Sequence, residues 1–259
     1  MARRTTCFSR YSMIALAMAL ALPAARAGEQ HTLSLDTYET ALLESSGHPN
    51  ELNRWHGLWA YQNGRIDEAR EFFERAAMYG DKLSQHALTL MYWKGDQGVA
   101  RDPVVAYVWA DLAAERGTSQ DLLHLRERIW HELTPQQRRQ VGEIGPGYHA
   151  RYGDAVAQKR MNAELRRFMR NQTGSRVGAQ TSKLDIWLGP PDPWSGRGMS
   201  GFGQIRTTGT EYYAARRTEP TAYWRAEDKH LRALFEARVE VGEVRKASSS
   251  NSDADRDGQ

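Results

Sequence analysis

Apolar positions between residues 52 and 117 recur at steps of three and four, the spacing that puts side chains on one face of an α-helix. Ala69, Phe72, Phe73, Ala76 and Ala77 form one such stripe; Ala106, Trp109, Ala113 and Ala114 form another. The matched members of the two stripes lie 37 residues apart, and so do the glycines that follow them, Gly80 and Gly117. Upstream, Tyr61-x-x-Gly64 and Tyr92-x-x-Gly95 repeat at an offset of 31, the difference being a six-residue loop at 96–101. An internal period of this size predicts stacked helix pairs, in which each unit buries its apolar face against the next.

The residue types set the geometry of each unit. Paired alanines let a neighbouring helix approach closely, and the aromatic ring four residues earlier fills the wider gap. Glycine after the last turn suits a left-handed helix terminus. Asp102 followed by Pro103 reads as N-cap and first helical residue. Further helices are predicted at 37–43 and at 121–133, the latter with Leu122, Leu125, Ile129 and Leu133 on one face. Thr134-Pro135-Gln136-Gln137 carries a capping-box start. Gly145-Pro146-Gly147 is expected to interrupt the helix that follows, and Asp154 to cap a last one reaching about residue 169. Two repeats leave both end faces open, so the helices at 37–43, 121–133 and 135–169 are expected to close the stack.

The chain is therefore predicted to be all-α. Residues 28–170 form a short α-solenoid of stacked antiparallel helix pairs with capping helices. Residues 171–246 form a Gly/Pro/aromatic-rich, loop-rich extension with a helix from Pro220 to about Ala237 and a short strand at Val239 and Val241. Residues 247–259 are polar and acidic and are expected to be a disordered tail.

The string Tyr92-x-x-Gly95, Gly98-Val99, Asp102-x-x-x-Ala106-x-x-Trp109-x-x-x-Ala113-Ala114-x-x-Gly117 resembles a Sel1-like repeat, a relative of the tetratricopeptide repeat. It departs by one extra residue between Gly95 and Gly98, and the first unit keeps only the helical skeleton. The segment at 133–137 resembles the hairpin that closes such arrays. The resemblance implies a helical solenoid that binds other proteins as an adaptor or regulator, without catalysis of its own. Large aromatics suit interface anchors, so the partner surface is expected on the first helix of each pair, near Trp55, Trp59, Tyr61, Tyr92 and Trp93, with burial of these rings between units as the alternative.

The N-terminus changes the reading of charge and compartment. Arg3, Arg4 and Arg10 precede an apolar stretch of ten residues at 13–22, then Pro23 and the small-x-small site Ala25-Arg26-Ala27. This is the pattern of a secretory signal peptide, residues 1–27, and a membrane span needs about 20 apolar residues. The expectation is cleavage after Ala27, a periplasmic or secreted protein, and no stable membrane insertion. The whole chain has 35 basic and 32 acidic residues. Four of the bases and none of the acids lie in the signal, so the remainder carries a net charge of −1 and its sequence makes no case for nucleic acid. Charge is polarised within it: −6 over 28–120 and +5 over 121–176. Cys7, the one cysteine, leaves with the signal, which removes disulfide and thiolate chemistry.

Candidate chemistry is sparse. Gly196-Arg197-Gly198-Met199-Ser200-Gly201 fits a phosphate-cradle pattern but lacks the strand before it and the helix after it. His124 and His131 share a helix face with Glu127 but lie seven residues apart, about 10 Å along a helix, too far for one ion. Arg166, Arg167, Arg170 and Arg176 read as a solvated basic face or a contact for an anionic polymer. Trp187, Trp194, Tyr212, Tyr213, Tyr223 and Trp224 read as a small core for the extension or as a platform for sugars or proline-rich peptides, and Pro190, Pro191 and Pro193 as a ligand segment. No nucleophile elbow, zinc-protease motif or paired-cysteine motif occurs, and no catalytic residue, cofactor or metal is predicted. The expected function is an exported adaptor or regulator in the cell envelope. The competing expectation is a cell-wall-directed enzyme or carbohydrate-binding module built on residues 177–246.

Overall fold

Polar caps set where the helices begin. In the computed structural model, which describes residues 32–95, 98–170, 185–188 and 205–236, helix α1 (Leu35–Glu44) starts where the Ser34 hydroxyl accepts the Thr37 N–H. Helices α2 (Pro49–Gln62) and α3 (Ile66–Ala77) make one hairpin, and α4 (Lys82–Lys94) and α5 (Pro103–Ala114) the next. Helices α6 (Gln120–Glu132) and α7 (Pro135–Tyr152) both pack on α5, and α8 (Asp154–Arg170) ends the region. The Asp81 carboxylate accepts from Ser84 N–H and the Asp102 carboxylate from Val104 and Val105 N–H. Thr134 and Gln137 form the expected capping box. Each cap satisfies a backbone donor that the first helical turn leaves open.

The 37-residue echo survives in three dimensions. Ala69, Ala76 and Ala77 are buried in the first hairpin, and Ala106, Ala113 and Ala114 in the second. The four glycines of the pattern, Gly64, Gly80, Gly95 and Gly117, all hold positive φ, between 63° and 78°. One match breaks. Trp109 is buried, but its partner position Phe72 is only half-buried, and the adjacent Phe73 takes the core place instead. The reason is a swap of volume. A Cβ on Gly57 would lie 2.6 Å from the Phe73 ring, so the missing side chain on α2 is the space that Phe73 of α3 occupies. At the corresponding offsets of 31 and 37 the second hairpin has Leu88 and Ala110, large where the first is small and small where it is large. All four positions are buried.

Helix α7 departs from expectation. It runs without a break through Gly145-Pro146-Gly147. Pro146 forfeits one backbone hydrogen bond, but Val141, Ile144, Tyr148 and Tyr152 recur along one side and pack on the core formed by α2 to α5. Trp109 of α5 meets Tyr148 edge-on at 5.4 Å and Tyr152 at 4.8 Å between ring centroids. Burial of that aromatic face outweighs the local penalty. At the opposite end α1 closes the stack through Tyr38, whose ring lies parallel to Trp59 at 4.7 Å.

Beyond α8 the extension holds β1 (Asp185–Leu188) and β2 (Ile205–Thr208), antiparallel with Asp185 opposite Thr208 and Leu188 opposite Ile205. These are strands the sequence did not signal. Short helices α9 (Gly209–Tyr212) and α10 (Ala215–Thr218) lead to α11 (Pro220–Glu236), the expected helix. Residues 1–27, expected to be a signal peptide, the glycine run at 196–201, Pro190, Pro191, Pro193, Trp194, Arg176, the strand expected at Val239 and Val241 and residues 247–259 lie outside the described residues.

The Gly57–Phe73 fit makes a direct prediction. Gly57→Val forces the Phe73 ring out of its place and lowers unfolding stability by about 1–3 kcal/mol, read from urea denaturation. Gly57→Val combined with Phe73→Ala recovers part of the loss by restoring the volume balance, as a non-additive double-mutant cycle would report.

Candidate functional site

Antiparallel helices bring alternate turns to one end of the stack, so the α1–α2, α3–α4 and α5–α6 connections lie together. Two helices cross that end in opposite directions. Helix α8 starts at Asp154 beside Arg116 and finishes with Phe168 against His48, ring centroids 5.4 Å apart. Helix α11 starts near α2, where the Asn50 amide donates to the Tyr223 hydroxyl at 2.7 Å, and ends with Phe235 edge-on to His86 of α4. Leu231 joins Leu83, Ala113, Ala114 and Leu122 in one apolar cluster. Thus α11 lies across the starts of the first helices of successive hairpins. It is joined to α8 by the Trp224 indole, which donates to Asn162 at 3.0 Å.

Beneath the two helices runs a buried ionic seam. Arg116 is its hub: it donates to both Asp154 carboxylate oxygens at 3.2 and 3.3 Å, to Asp228 at 2.9 Å and to the Gly80 carbonyl at 2.6 Å. The Trp224 ring lies under the same guanidinium at 4.6 Å. Lys82 is buried, its ammonium donating to the Leu112 carbonyl near the end of α5 and lying 3.1 Å from Asp154. Arg54 pairs with Asp81 and reaches within 3.9 Å of Glu227. Arg160 donates to the Met78 carbonyl at the end of α3. Arg116, Lys82 and Arg160 thus donate to carbonyls at the ends of α3 and α5, Leu112 also accepting from Glu115 N–H, while Asp154 and Asp228 neutralise Arg116 and Asp81 pairs with Arg54.

Burial shifts the seam's proton affinities. Desolvation pushes the Glu227 carboxyl up to about 8, helped by the Glu51 and Asp81 carboxylates and opposed by Arg54. Burial lowers Lys82, with Asp154 opposing the shift. Burial also lowers His230. A raised carboxyl beside a lowered imidazole has the makings of acid–base chemistry. The space among Arg54, Lys82, Leu83, Arg116, Glu227, His230 and Leu231 is about 10 Å³, room for one water and not for a substrate. The seam is a clasp.

The five aromatics expected to meet a partner do not form one surface. Trp55 is 6% exposed and sits in the main apolar core, against which Tyr61 and Tyr92 pack partly buried. Trp59 lies against α1. Trp93, half-buried, carries the Arg101 guanidinium 5.0 Å above its ring. His124, Glu127 and His131 are exposed on α6. Among the extension's rings, Tyr212 and Tyr213 pack on Phe168, and Tyr223 is buried against Met161 and Leu165. Among the described residues no cluster of three metal-ligating side chains occurs, and no helix is long and apolar enough to cross a membrane.

Sequence reasoning missed the seam. Nothing in the chain signals that Arg116 meets Asp228, 112 residues away. No family model, curated protein or solved structure matches the chain.

Two measurements test the seam. Arg116→Met leaves Asp154 and Asp228 without their shared cation and lowers stability by about 3–5 kcal/mol in chemical denaturation. The second concerns His86, whose buried ring is held down to about 4 by desolvation, then by Lys94. An imidazole lowered on folding stabilises the fold above its unfolded pKa, and that contribution is lost as pH falls through the folded one. Stability therefore drops between about pH 6.5 and 4, and His86→Leu removes up to about 3 kcal/mol of that drop.

Proposed function

We propose that the protein is an exported adaptor of the cell envelope: a short Sel1-like stack that holds another protein and performs no chemistry itself. The carrying observation is the pattern that the two hairpins share. The alanines at matched positions are buried and the glycines at matched positions have positive φ, so the motif behind the resemblance does structural work in both units. The tiny cavity in the ionic seam favours an interaction role over turnover.

The partner surface we assign is narrower than the residue types suggest. Helix α11 already covers the starts of α2 and α4, at Asn50, Arg54, Leu83 and His86. The opposite ends of those helices carry Tyr61 and Trp93, with Arg101 in the connection that follows. An aromatic ring with a guanidinium over it is a common anchor at protein interfaces. Trp55 belongs to the core and Trp59 to the α1 contact, so neither forms part of the proposed surface.

Export and capture are tested together. Expressed with its own N-terminus in a Gram-negative host, the protein is recovered from the periplasm with Gly28 as its first residue by mass spectrometry. A photoreactive amino acid at Trp93 traps one discrete envelope protein, whereas the same group at Arg128, on the exposed side of α6, traps none. Retention of residues 1–27 in the cytoplasm overturns the export reading, and an equal spread of products from both sites overturns the adaptor reading.

A further inference from the structure

Helices α8 and α11 sort their charges by side. The described carboxylates of both turn toward the stack or a neighbour: Asp154 and Asp228 to Arg116, Glu227 toward Arg54, and Glu164 toward Arg167 at 4.0 Å. Their remaining bases turn outward. On α11, Arg225, Lys229 and Arg232 follow steps of four and three on the side away from buried Tyr223 and Leu231. On α8, Lys159, Arg166 and Arg170 lie on the side away from buried Met161 and Leu165. All six are exposed, and among the described residues none forms an ion pair. Around α3, by contrast, Arg65, Arg70 and Arg75 each pair with an acid three or four residues away.

The Trp224–Asn162 hydrogen bond joins the two helices, and each basic stripe lies opposite the buried cluster they share, Met161, Leu165 and Tyr223, on the outward side of its helix. At about 1.5 Å per residue, the stripe on α8 runs about 16 Å and that on α11 about 10 Å. From Lys159 to Arg170 on α8 and from Arg225 to Arg232 on α11 neither stripe contains a carboxylate, Glu236 following at the next step of four, and the face is a positive field on a chain whose remaining helical region is acidic.

The chemistry of the face selects its partner. Four of the six bases are arginines, whose planar forks match phosphate oxygens two at a time. Among the described residues Leu35, on α1, is the one large exposed apolar side chain, so this face carries no anchor of the kind that dominates protein interfaces. Nor does it show the stacking rings that hold single-stranded nucleic acid. Bases spread over two neighbouring helices suit a planar, fluid array of phosphates that can rearrange beneath them. We propose that the α8–α11 face docks the protein on an anionic phospholipid surface through its lipid phosphates. The inference is independent of which protein the stack binds.

The test uses the full chain after signal removal, sedimented with large vesicles. Vesicles of phosphatidylcholine with about 30% phosphatidylglycerol pull the protein down, vesicles of phosphatidylcholine alone do not, and about 0.5 M salt releases it. Neutralising Arg225, Lys229 and Arg232 together to Gln lowers the partition coefficient roughly a hundredfold, at about fivefold per base near a charged surface. Neutralising Lys159, Arg166 and Arg170 to Gln has a similar effect, and both triple variants keep the helical circular dichroism of the parent because all six residues are exposed. Arg128→Gln with Arg139→Gln, two bases off this face, leaves partition unchanged. Equal sedimentation with both vesicle types overturns the proposal, as does full binding by either triple variant. Binding to polyglutamate or duplex DNA without binding to the anionic vesicles also overturns it.

Discussion

Helix ends packed inside a protein concentrate negative carbonyl dipoles, and this chain sets cationic side chains against them. Every unit of the stack returns its chain to the same end, so the C-terminal ends of α3 and α5 lie together there. Arg116, Lys82 and Arg160 reach the carbonyls of Gly80, Leu112 and Met78. A buried cation in turn requires a counter-charge at close range. Asp154 on α8 and Asp228 on α11 supply it for Arg116, and Asp81 supplies it for Arg54. The clasp therefore follows from the hairpin topology, and it is what ties the extension to the repeats.

Within the stack the governing constraint is volume. Two hairpins with one backbone plan need not use the same side chains, provided each pair of facing positions fills the same space. The first hairpin sets Gly57 against Phe73, and the positions that correspond in the second hold Leu88 and Ala110. The exchange explains why Phe72 and Trp109, which match in register, differ in burial. It also shows how a repeat loses sequence similarity faster than geometry.

Turning acids inward has an electrostatic consequence on the other side of the same helices. Once Asp154, Glu227 and Asp228 are committed to the seam, six bases of the same two helices face solvent. The resulting field surrounds a stack that is itself acidic, so the molecule presents two unlike faces from a nearly neutral composition. Such asymmetry governs approach and orientation at charged surfaces more than it governs stability.

Much of the repeat region was legible in the chain because its signals are local. The 3–4 spacing, the caps at Asp102 and Thr134 and the glycines after each stripe act within one or two turns, and the helices formed where they point. Pro146 misled for the same reason: its local penalty is real, but contact of Tyr148 and Tyr152 with Trp109 outweighs it. The places of Trp55, in the core, and Trp59, against α1, were not legible, since residue type does not say whether a ring faces a partner, the core or a capping helix. By itself, then, the sequence determined an all-α repeat with its period, its turns and its ends. Only the tertiary structure decided that α11 returns to cross the stack and that Arg116 gathers Asp154 and Asp228, because charge pairing between distant segments leaves no periodicity in the chain.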